Sequence, residues 1–123
     1  MADDPIPQEI RTFLVRCIES VAQLEALLLL RTAPQQAWNA PDVARRLYVE
    51  EKEAAQLLGG LVGCELAVTD GEAYRYQPRD CELLDLMDQL AETYARSLVA
   101  VTRVIHERDM TLRKFADGRW LSA

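Results

Sequence analysis

The chain is poor in the residues that carry most chemistry. Its 123 residues include one His, three Cys, two Trp and two Phe. A single His leaves nucleophilic catalysis short of its usual base, since His beside Cys or Ser is the common pairing. No Cys-x-x-Cys or His-x-x-x-His spacing offers a metal site. Three widely spaced cysteines do not make a disulfide framework. No Gly-rich loop links a strand to a helix, so nucleotide binding lacks its cradle. Long apolar runs are missing too: the longest is Ala26–Leu30, far below the roughly 20 residues that span a bilayer. The opening Met-Ala-Asp-Asp-Pro has no basic region followed by an apolar stretch, so a cytoplasmic protein is expected. The sequence predicts no enzyme, no cofactor, no metal and no membrane segment.

What is present is globular and acidic. Half the residues are apolar, 28% are charged, and the formal net charge is -6. The length fits one domain, 1–123. Ile10, Phe13, Leu14, Cys17, Ile18, Val21, Leu24, Leu27 and Leu28 recur at steps of three and four, which predicts one helix from Gln8 to about Arg31. Its apolar stripe widens at Ala26–Leu30, so that end belongs at the centre of the core. After Pro34, Asn39 is a good N-cap, and Ala40–Leu47 reads as a two-turn helix. Tyr48-Val49 is the hinge before a third helix, from near Glu50 to about Val62. Gly63 is expected as its left-handed end, and Gly59-Gly60 as a close packing point or an early fray.

Asp70-Gly71 between Glu65–Thr69 and Ala73–Gln77 predicts a β-hairpin. Asp80 can then cap one long helix, Cys81 to about Arg108, whose 28 residues would span roughly 42 Å. Leu83, Met87, Leu90, Tyr94, Val101 and Ile105 follow a four-three alternation along it, with Leu98 one step off. That seam is expected to be a dimer interface, the alternative being a helix that folds back over the first helix within one chain. Residues 109–123 are less regular. Their mixture of bases with Phe115 and Trp120 fits a docking peptide, an arm toward a nucleic-acid backbone, or a loosely packed end.

The order is helix, short strand, helix, tight turn, helix, two-stranded hairpin. Carried by Val21–Arg31, Trp38–Leu47, Glu53–Leu58 and the hairpin ending in Tyr74-Arg75-Tyr76, it resembles the bacterial winged helix-turn-helix regulators of the MarR-like and PadR-like group. The resemblance covers about residues 20–78. It implies a mainly α fold with a small β-hairpin wing (8–79), a long dimerisation helix (80–108) and a tail. It further implies a homodimeric transcription regulator that binds double-stranded DNA, with the third helix in the major groove and the wing along the backbone. On that reading Arg45, Arg46, Lys52, Gln56, Arg75 and Arg79 are the candidate DNA contacts, and Leu83, Met87, Leu90, Tyr94, Leu98, Val101 and Ile105 the dimer seam.

The charges point elsewhere. The third helix opens on Glu50-Glu51-Lys52-Glu53, and the block 40–79 holds seven acids against five bases. Phosphates repel carboxylates, and non-specific DNA affinity is almost wholly electrostatic. The alternative is a winged helix used as a protein-interaction module, with its acidic third helix facing a basic partner. Cys64 and Cys81, which bracket the hairpin, read either as buried small apolar residues or as a thiol sensor.

Overall fold

The computed structural model describes residues 6–117, with side chains placed as far as Glu107. Six helices and one antiparallel pair of strands follow in the order α1 (Gln8–Cys17), α2 (Val21–Thr32), α3 (Ala40–Leu47), α4 (Glu51–Gly63), β1 (Ala67–Thr69), β2 (Tyr74–Tyr76), α5 (Cys81–Arg96) and α6 (Leu98–Asp117). The protein is therefore mainly helical, with a small hairpin.

Two expected helices are each divided. The apolar stripe from Ile10 to Leu28 is carried by α1 and α2, not by one rod. Ile18 leaves the helix with extended backbone, and Ser20 starts a new one by accepting a hydrogen bond from the Gln23 amide. Gln23 reciprocates upstream, its Oε1 accepting from the Glu19 N–H at 2.8 Å. Ser-Val-Ala-Gln is thus a helix-start signal of the capping-box kind, and a side chain that satisfies the first free amides ends one helix and begins the next. The predicted helix Cys81–Arg108 breaks at Ser97, whose φ of -136 lies outside helical geometry. Its N–H still bonds the Thr93 carbonyl, and its own carbonyl accepts from Val101 N–H at the start of α6. The off-step position of Leu98 is the trace of this break in the apolar pattern. Helix α6 then continues to Asp117, past the predicted end at Arg108. Gly118 and the rest of the expected docking tail, Trp120 included, lie outside the described residues, as does the side chain of Phe115.

The middle of the chain follows its local signals closely. Asn39 Oδ1 accepts from the Asp42 N–H at 2.8 Å and starts α3. Tyr48 takes the left-handed conformation (φ 59), and Glu50 precedes α4. Gly63 stays inside α4, contrary to the expected left-handed end. The positive φ falls instead on Glu65 (φ 64), where Glu65 N–H bonds the Val62 carbonyl and Leu66 N–H the Leu61 carbonyl. In the hairpin, Ala67 pairs with Tyr76, Val68 with Arg75 and Thr69 with Tyr74. Its turn is set by Asp70, whose Oδ1 accepts from the Glu72 and Ala73 amides at 2.9 and 3.0 Å, and by Gly71 at φ 109. These amides hold the Asp70 carboxyl below its usual range. Trp38 exchanges both backbone hydrogen bonds with Tyr74, at 2.8 and 2.6 Å, as a single-residue third strand.

One contiguous core joins all of this. Leu24, Ala26, Leu27 and Leu30 of α2 are buried, so the apolar end of that segment does lie at the centre. α2 packs against α3, α4 and β2, whereas α1 packs against α5 and α6. Gly60 is a close packing point: a Cβ there would fall on Gln23 Nε2, which reaches across to the Leu57 carbonyl. Gly59 has open space beside it. Among the described residues no helix is long and apolar enough to cross a membrane.

Candidate functional site

The seven seam residues come first, because their burial decides what surface remains. Met87, Leu90 and Val101 are fully buried, Ile105 is 1% exposed and Leu83 9% exposed in a single chain. They cover the α1 side of the core, through contacts of α5 and α6 with α1. A side chain with no exposed area gives no area to a partner, so these five residues serve the chain's own core and lend the expected dimer interface no support. The alternative, a fold-back over the first helix, describes what the chain does. The other two members differ. Tyr94 is half-buried and donates its hydroxyl to Glu25 Oε2 at 2.8 Å; burial and the neighbouring carboxylate push its pKa up to about 12. Leu98 is 54% exposed and, with Val99, forms an apolar step at the α5–α6 junction.

The six candidate DNA contacts divide evenly. Arg45 is ion-paired with Asp42 one turn back in α3. Arg46 lies over the Trp38 ring, 5.3 Å from its centroid, a cation–π contact. Arg79 donates to Glu65 Oε1 at 2.6 Å and to Asp80 Oδ2 at 3.1 Å. The last two pairings raise the pKa of Arg79, and Asp80 is held low by the Leu83 amide and by Arg79. The remaining three, Lys52 and Gln56 on α4 and Arg75 on β2, are exposed.

Around them the carboxylates are solvent-facing. Glu50, Glu51 and Glu53 lie at the start of α4, where an acidic first turn suits the helix dipole. Asp70 and Glu72 occupy the hairpin tip. Tyr48, at the bend between α3 and α4, is 93% exposed. The start of α4 and the hairpin tip therefore offer more carboxylate than cation.

A groove of about 750 Å³ runs between the end of α2, the residues after β2, and α5, lined by Arg31, Tyr76, Pro78, Cys81, Leu84 and Asp88 among others. Arg31 donates from Nε and Nη2 to Asp88 Oδ1, at 3.0 and 2.8 Å. Burial pushes the Tyr76 phenol up to about 12, against the pull of the neighbouring Arg31 guanidinium. Sequence reasoning missed this groove, because Arg31, Tyr76 and Asp88 are far apart in the chain and no local motif unites them. Cys81 is exposed at its rim, while Cys17 and Cys64 are half-buried. Among the described residues no group of three or more His, Cys, Asp or Glu is placed to hold a metal ion. No family model, no curated protein and no solved structure matches the chain.

Proposed function

We propose that Val21 to Tyr76 form a winged helix-turn-helix unit whose exposed α4 face and hairpin tip dock onto a basic protein surface. Three features support the scaffold. α3 and α4 are joined by a three-residue bend with Tyr48 left-handed, within the range of helix-turn-helix connections. α2 packs on both helices. The hairpin follows, with Trp38 paired to its second strand.

The observation that carries the docking reading is the charge of the presented face. Glu50, Glu51 and Glu53 outnumber Lys52, and Asp70 and Glu72 outnumber Arg75. Arg45, Arg46 and Arg79 are engaged within the chain. Such a face repels phosphates and complements a Lys/Arg-rich protein surface, for which it favours fast, salt-sensitive association.

The test is fluorescence anisotropy at about 50 and 200 mM salt, conditions between which phosphate-driven binding falls steeply. A labelled Lys/Arg-rich peptide is expected to bind at the lower salt and to be lost in the triple variant Glu50→Lys, Glu51→Lys, Glu53→Lys. Reversing Glu82 and Asp85 on α5 should leave binding intact. Mixed-sequence duplex DNA is expected not to bind the natural chain, and to bind the triple variant in a salt-sensitive way.

The second reading is a homodimeric DNA-binding transcription regulator. It is favoured by the exposed positions of Arg45 and Arg46 at the end of α3 and of Arg75 on the hairpin. Duplex binding by the natural chain that fades with salt, and that weakens with a flatter salt dependence in Arg45→Ala, Arg46→Ala, Arg75→Ala, would put this reading in place of the first.

A further inference from the structure

α1 ends at Cys17, and α4 is closed by Cys64 at its C-terminus. The Cys64 sulfur lies 3.9 Å from the Cys17 carbonyl oxygen, across 47 residues of chain. The Cys64 side chain thus lies against the last residue of α1, where two helices end. Both cysteines are half-buried, within reach of a small oxidant, and neither is in a disulfide in this state. A disulfide needs Cα atoms roughly 4.4–6.8 Å apart, and the 3.9 Å contact brings the Cys64 side chain to the backbone of Cys17. Gly63, next to Cys64, has open space beside it for the adjustment.

The place of this contact gives it consequence. α1 packs mainly against α5 and α6, while α4 packs against α2, α3 and β1. Cys17 and Cys64 meet where these two sets of helices adjoin. A bond there would tie the helical layer of α1, α5 and α6 to the helix that presents the acidic face.

We infer that Cys17 and Cys64 are a redox pair, joined by peroxide into a reversible disulfide that fastens α1 to the end of α4. One thiolate attacks a peroxide oxygen; an S–O bond forms, the O–O bond breaks, and the departing hydroxide is protonated to water. The second sulfur then attacks the resulting sulfenic acid, forming the S–S bond and expelling hydroxide, which leaves as water with the second thiol's proton. Two thiols are oxidised and one peroxide is reduced to two waters. Cys81, exposed and on α5, takes no part.

The test exposes the reduced full chain, natural and Cys81→Ser, to hydrogen peroxide, followed by non-reducing digestion and mass spectrometry. The expected result is a peptide pair joined through Cys17 and Cys64 in monomeric protein, released by dithiothreitol. In Cys81→Ser, both remaining thiols should disappear from a thiol titration, and Tm should rise on oxidation by roughly 5–15 °C. Cys17→Ser and Cys64→Ser should each remove that rise. Since Cys64→Ser alters a packed helix end, the decisive observation is the linked pair in Cys81→Ser, which keeps both partners. Oxidation that yields only sulfinic or sulfonic acid at these positions, or only Cys81-linked dimers, would overturn the inference. Neither outcome bears on the peptide and DNA assays, which are run under reducing conditions.

Discussion

The segment from α2 through the hairpin and the layer of α1, α5 and α6 are built by different means. In the first, nearly every change of direction has a polar side chain or a special backbone residue behind it. Ser20 and Asn39 start helices, Tyr48 and Glu65 bend the chain through left-handed geometry, and Asp70 folds the turn of the hairpin. In the second, Asp80 caps α5, but α1 has no side-chain N-cap and the assembly rests on an apolar seam that closes on itself. Short-range polar bonds settle the order of elements; only long-range apolar matching settles which faces are covered. A reader of the sequence sees the first kind of information at once and the second hardly at all.

The most forceful way to break this contrast is in the seam. Leu90 is fully buried, so Leu90→Ala is expected to lose about 2–5 kcal/mol, from transfer and from the cavity left behind. Thermal unfolding of the natural chain and the variant, followed over roughly a hundredfold range of protein concentration, separates the two roles of the seam. Tm independent of concentration is the expected outcome, because the seam is satisfied inside one chain. Tm that rises with concentration would return these residues to a dimer interface, since association stabilises by mass action.

The neighbouring glycines sharpen the contrast at smaller cost. Gly59 and Gly60 are adjacent in sequence and indistinguishable by propensity, yet only Gly60 has a side chain against it. Gly59→Ala should stabilise by about 0.5–1 kcal/mol, the helix preference for Ala over Gly. At Gly60 the same gain is outweighed. A methyl group there displaces the buried Gln23 amide, which accepts from Glu19 N–H and donates to the Leu57 carbonyl. A net loss of about 1 kcal/mol is expected. Equal and favourable effects at both positions, measured by urea unfolding, would mean that the Gln23 contact does not couple α2 to α4.

How far the sequence could be read follows from the same distinction. Asn39, Asp70-Gly71 and Asp80 announce their elements within three or four residues, and the structure starts α3, turns the hairpin and starts α5 where they stand. The break at Ser97 was hidden because Leu98 departs from the seam by one step only. The break at Ile18–Ser20 had a visible signal in Ser20 and Gln23, overridden by the unbroken apolar periodicity on either side. At the candidate docking face, Glu50, Glu51 and Glu53 were legible as exposed acids. The engagement of Arg45 with Asp42 was readable from their i, i+3 spacing. Arg46 stacks on a Trp38 that is held by its pairing with Tyr74, and Arg79 meets Glu65 because the hairpin brings its two flanks together; no local pattern carries either contact.

The smallest effect probes the one hydrogen bond that α5 makes to α2 through a phenol. Tyr94 donates to Glu25, and its pKa is raised to about 12, by burial first and then by that carboxylate. Tyr94→Phe keeps the ring and is expected to lose only about 0.5–1 kcal/mol at neutral pH. The pH dependence is more informative than the loss itself. An unfolded tyrosine ionises near pH 10, and the folded one holds its proton about two units higher. The stability tied to the protonated phenol is therefore complete below about pH 10 and declines as pH rises from about 10 to about 12. Tyr76 is raised to the same value by its own burial, so the natural chain should lose stability in this window through both residues. Tyr94→Phe should halve that decline, because one of the two titrating phenols is gone. If the natural chain and the variant lose stability in parallel up to about pH 12, Tyr94 is not held protonated by Glu25. The polar tie between α5 and α2 would then rest on the Arg31–Asp88 ion pair.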